Sequence, residues 1–147
     1  MKRMYRFTLL TALLLLGFSA AAQAHCEIPC GIYGDEMRIK MMNEHLMTIG
    51  KSMRMIKELQ AEDPVDYNQL VRWVMNKDDH ANKFQEIVSQ YFMTQRIKAG
   101  DADYDRKLRA LHQMLVSAMK CKQTTEQKHV NALHTLIHEF EDLYFKD

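Results

Sequence analysis

From Asp35 onward the apolar residues of this chain recur at steps of three and four, and that spacing decides the fold class. Ile39, Met42, Leu46, Ile49, Met53 and Ile56 share one side of a helix and would be split between both faces of a strand. Pro64 breaks the run, since proline has no N–H to give a helix. Asp66 suits the cap of the next helix. There Tyr67, Leu70, Val74, Ala81, Phe84, Val88 and Tyr91 continue the register, with Lys77 at the one skipped position. The polar stretch from Asn76 to His80 is expected to kink this helix or to sit at an interface, and Gly100 to mark its stop. Tyr104, Leu108, Leu111, Leu115 and Ala118 mark the inward side of a third helix. Thr124 followed by Gln127 has the spacing of a capping box. It opens a fourth helix with Val130, Leu133, Ile137, Phe140 and Tyr144 inward. Strand and hairpin patterns are missing. Four amphipathic helices with short connections predict an all-α, antiparallel up-down four-helix bundle over residues 35–147.

The first 24 residues follow another logic. Lys2, Arg3 and Arg6 precede an apolar stretch from Phe7 to Phe18, and Ala22-Gln23-Ala24 is the small-x-small pattern cut by a signal peptidase. The apolar stretch is shorter than the ~20 residues of a membrane span. Residues 1–24 are therefore expected to be a cleaved secretory signal, with an uncleaved anchor as the alternative. The product is expected to be secreted, with the periplasm as its destination, and to hold no membrane segment after cleavage. Cleavage removes three of the 20 Lys and Arg, leaving 17 against 19 Asp and Glu. A balance that close to neutral does not suggest a nucleic-acid partner. The methionines fall mostly on or beside the helix seams, where flexible core filler is their usual use.

The chemistry lies in residues 25–34, His-Cys-Glu-Ile-Pro-Cys-Gly-Ile-Tyr-Gly. Exported cysteines meet oxidants, so a Cys26–Cys30 disulfide is one reading, with Cys121 left over. Cleavage after Ala24 offers another. It would free the α-amine of His25, which can lose its proton near neutral pH. Cys26 could then close a small chelate ring through its thiolate and the intervening backbone nitrogen. Pro29 and Gly31 would let the chain turn back and bring Cys30 to the same ion. Two nitrogens and two sulfurs in a plane, with the His25 imidazole above, suit Ni(II) or Cu(II). Structural zinc prefers four side chains in a tetrahedron. Nickel fits best, because thiolates tend to reduce Cu(II).

His25-Cys26-x-x-Pro29-Cys30-Gly31-x-Tyr33 resembles the nickel hook of the nickel superoxide dismutases, and the resemblance extends over the bundle behind it. It implies a nickel-dependent enzyme that converts superoxide to dioxygen and hydrogen peroxide through a Ni(III)/Ni(II) cycle, with one nickel ion per subunit. It implies that His25, Cys26 and Cys30 bind the metal, the His25 imidazole serving as axial ligand. By the same resemblance Tyr33 stands beside the open face, Pro29 has a cis peptide bond, and Glu27 takes a position that is acidic in the family. Tyr91 matches a second tyrosine near the pocket, and the subunits form homohexamers. One departure is plain: the family commonly carries Asp then Pro after the hook tyrosine, and here Gly34-Asp35-Glu36 follows.

Other readings of the same residues stand beside this one. Cys121 is expected to be a passive or surface thiol. His45, His80, His112, His129, His134 and His138 are expected at the surface or an interface. His134 and His138 share a helix face and could pair on a metal, without an evident third ligand. The alternative function is an exported nickel- or copper-binding bundle without catalytic turnover, and a third is a purely structural bundle.

Overall fold

The computed structural model describes residues 31–146, so the expected signal and His25, Cys26, Glu27, Pro29 and Cys30 lie outside the described residues. Among the described residues the chain is helical, with no strand. Helix α1 runs Asp35–Gln60, α2 Tyr67–Glu86, α3 Tyr104–Gln123 and α4 Gln127–Tyr144. Helix α2 continues directly into a π-helical segment, Ile87–Arg96. Each helix packs against its sequence neighbour, and α1 also meets α4, which closes the ring of a four-helix bundle.

The α1 seam is buried as its spacing predicts, from Ile39 to Ile56. Asp66 caps α2 by accepting the amide of Gln69 at 3.0 Å. The first half of α2 differs from expectation. Tyr67 and Val74 are exposed, and Val71 and Met75 join them on the surface. Inward packing begins only at Lys77, Ala81 and Phe84. On α3 the seam is rotated: Lys107, Ala110, Leu111, Met114, Ala118 and Cys121 are buried, while Leu108 and Leu115 are only partly so. Thr124 and Gln127 do not form the expected box. Glu126 takes the cap position of α4 without a side-chain bond, and the Gln127 amide reaches across to the Gly50 carbonyl.

The stretch from Asn76 to His80 is an internal interface, not a kink. Asn76 donates to Ser52 of α1, and His80 meets His45 of α1. Lys77 is buried, and its ammonium donates to the carbonyls of Cys121 and Lys122 at 2.8 and 2.6 Å. The last carbonyls of any helix lack partners within it, and here a lysine from a neighbouring helix supplies them. Its charge is met by Asp78 at 2.7 Å. That is why a charged residue occupies a position the apolar register skips.

Candidate metal centre

Tyr33 and Gly34 lead from the hook sequence into α1, and they meet Tyr91 and Arg96 of the π-helical segment. Gly34 has no side chain with which to cap α1. The next residue takes over the join. Asp35 accepts a two-pronged pair from Arg96, with Nε at 2.9 Å from Oδ1 and Nη2 at 2.7 Å from Oδ2. The Tyr91 hydroxyl donates to the same carboxylate at 2.5 Å and the Tyr144 hydroxyl at 2.9 Å. Tyr91 in turn accepts the Gly34 amide at 2.9 Å. The sequence departure after the hook tyrosine is thus the centre of a polar cluster built from α1, the π-helical segment and α4.

The π-helical segment makes this cluster possible. Tyr91 and Arg96 are five residues apart, which in an α-helix would set them about 140° around the axis from one another. Bonding five residues back brings such positions onto one side. The Ile97 amide bonds to the Phe92 carbonyl at 3.0 Å, and the side chains of Thr94 and Gln95 reach the carbonyls of Ser89 and Gln90.

The titration of the group follows from its contacts. Burial works against the Asp35 carboxylate, but the bonds from Arg96, Tyr91 and Tyr144 outweigh it and hold its pKa below the ordinary range. The bond to Asp35 raises Arg96 further still. Burial, with the nearby carboxylate, raises Tyr91 and pushes Tyr144 up to about 12. The phenol of Tyr91 is therefore a fixed donor, committed to Asp35.

Tyr33 lies on this cluster. The Arg96 guanidinium sits 4.2 Å from its ring centroid, and Tyr91 meets it edge-on at 6.0 Å. Its ring is 41 % exposed. Arg38 stacks on the Tyr91 ring at 4.9 Å, and its buried Nε has no partner among the described residues. Arg96 is paired with Asp35, while Arg38 has no ion pair among the described residues. Of the residues singled out in the sequence, Tyr33 and Tyr91 are thus brought together. Asp35, Arg96, Tyr144 and Arg38 were not foreseen as a group. The missing proline after Tyr33 was the only signal of Asp35, and nothing in the helical register marked Arg96.

The donors for a metal can be sorted in the same way. Cys121 is free and fully buried, and burial pushes its thiol up to about 11, with Lys77 opposing weakly. It lies in the core and not at the surface. His134 and His138 approach at 3.3 Å between Nε2 atoms, and His45 and His80 at 3.0 Å between Nδ1 atoms. Among the described residues no group of three or more His, Cys, Asp or Glu side chains could hold a metal ion. His25, Cys26 and Cys30 supply nitrogen- and sulfur-bearing residue types that fit nickel. Gly31 behind them has a φ of +78°, the left-handed conformation that glycine tolerates best.

The chain matches the family model of nickel-containing superoxide dismutases over residues 20–147, which takes in the hook sequence and all four helices. No curated protein and no solved structure matched. With that span of sequence matched and the all-helical bundle observed, the chain belongs to the nickel-containing superoxide dismutase family, oxidoreductases that carry nickel.

Proposed function

We propose that His25, Cys26 and Cys30 hold the nickel of this enzyme, and that superoxide is dismuted beside Tyr33. The observation that carries the reading is the family match, which extends ahead of the bundle across the whole hook sequence. In this reading the His25 α-amine and imidazole, the Cys26 amide nitrogen and thiolate, and the Cys30 thiolate would hold the nickel. Glu27 and Pro29 lie between the two cysteines in the sequence and would support them there. Nickel, when bound, would supply the one-electron Ni(III)/Ni(II) couple that dismutation needs.

The protein's own groups handle the anion and the protons. Two superoxide anions and two protons give dioxygen and hydrogen peroxide. Tyr91 has its proton committed to Asp35, so it holds the pocket and does not feed protons to peroxide. The Tyr33 hydroxyl, with no hydrogen bond to the described residues, is the phenol available for that step. Arg38 has no ion pair among the described residues and leaves a positive field near both rings.

Export and assembly complete the reading. Residues 1–24 direct export, to the periplasm, and their cleavage uncovers the His25 amine. The subunits assemble as homohexamers. The exposed apolar residues Met47, Tyr67, Val71, Val74 and Met75 on α1 and α2 support a buried contact between copies.

Intact-mass and metal analysis of the exported protein tests the assignment. We expect a chain starting at His25 with one nickel per subunit. Cys26→Ser and Cys30→Ser are expected to lose nickel and dismutation together while keeping the helical far-UV spectrum. A mature chain with any residue ahead of His25, or full activity in either serine variant, would overturn the hook.

A further inference from the structure

We propose that Arg96 and Asp35 act as a positioning pair for Tyr33, fixing the ring at the root of the hook. The inference rests on the reading that Tyr33 faces the reaction. Two residues, Gly31 and Ile32, separate Cys30 from Tyr33, and no hydrogen bond to the described residues holds the Tyr33 side chain. Its placement depends on ring packing. The guanidinium of Arg96 gives it a flat cationic face at 4.2 Å, and Tyr91 gives it an edge at 6.0 Å. Both supports are set by one carboxylate, since Asp35 binds Arg96 in two places and Tyr91 in a third.

The shape of arginine matters here. Its planar fork bonds the carboxylate with one edge while its flat face lies on the ring. A lysine would keep the charge but lose the paired bonds and the stacking surface. Arg96 is 25 % exposed and Asp35 16 %, so the pair is largely shielded from water and its paired geometry is held in place. The cluster also fixes the backbone next to the ring, because Tyr91 accepts the Gly34 amide. Tyr144 makes the third connection to Asp35 and ties α4 into the same support.

Arg96→Lys and the near-isosteric Asp35→Asn test the proposal, each compared with the parent in metal-free and nickel-loaded form. In metal-free protein with labelled tyrosine, the Tyr33 ring resonances should move toward averaged positions in both variants. Amide exchange at Gly34 should quicken, with the far-UV spectrum unchanged. In nickel-loaded protein, nickel content should stay at the parent level while turnover per nickel falls about tenfold, as misplaced groups typically cost. The pH profile of turnover should change shape as well. Unchanged Tyr33 resonances and unchanged turnover per nickel in Arg96→Lys would overturn the pair. If Arg96→Lys fails to fold, Asp35→Asn decides by the same measurements. If the parent binds no nickel, the hook reading fails by itself, and the metal-free resonances still decide whether Arg96 holds the ring.

Discussion

Lys77 and Arg96 lie on one continuous run of helix, and both are cations taken partly or wholly out of water. Lys77 is the more buried of the two, yet it binds two neutral carbonyls at the end of α3 and has only the half-exposed Asp78 for its charge. Arg96 is less buried and meets a carboxylate head-on, with two tyrosines on the same group. The first closes off the end of a helix. The second builds a surface against which Tyr33 rests. Burial therefore marks the residue that holds the bundle together, while shared partners mark the residue tied to the candidate site.

The comparison can be broken in four ways. The largest effect is expected from Lys77→Met, which leaves the Cys121 and Lys122 carbonyls without their charged donor. It should lower unfolding stability by about 2 kcal/mol, with nickel content per folded chain unchanged, as read by denaturant melts and metal analysis. A loss of nickel at full folding would erase the distinction between the two cations. Cys121→Ala removes a fully buried sulfur from the same region. It should cost about 1 kcal/mol and leave the nickel content of the parent unchanged.

Acid should act between the two regions, at His45. Burial, then His80 and Lys83, hold the His45 pKa below its ordinary value. The unfolded chain then binds more protons than the folded one, so stability is full above pH ~6.5 and falls as pH drops through the folded value. Thermal midpoints measured downward from pH 8 should show that decline, and His45→Gln should flatten it. The smallest effect belongs to Arg38→Leu. Turnover at low salt should drop by about two- to threefold, and the difference should fade as salt is added. An equal loss at all ionic strengths would point to a packing role for Arg38.

How much of this could be read from the sequence depended on which force set each position. The α1 seam was legible to the residue, because burial alone decides it. The start of α2 was misread: Tyr67 and Val74 keep the apolar period but are not covered within one chain. The α3 register slipped because Lys107 and Cys121 face inward there, and neither carries an apolar signal strong enough to outvote leucine. Tyr33 and the donors ahead of it stood out because their residue types are chemically unusual in that order. Asp35 and Arg96 did not, since their pairing spans 61 positions and depends on a wider winding that no residue pattern announces.

That wider winding has a consequence for how the helix can change. A run that closes its bonds five residues back changes the angular phase of everything after it, relative to an α-helix, and leaves what precedes it alone. The core residues Ala81 and Phe84 are set before the shift, whereas Arg96 is set after it. Deleting one residue between Ile87 and Arg96 would let α-helical winding resume and swing the guanidinium away from Asp35, with the upstream packing still in gear. The site end of this helix can thus be retuned by insertion or deletion while the load-carrying end stays in step.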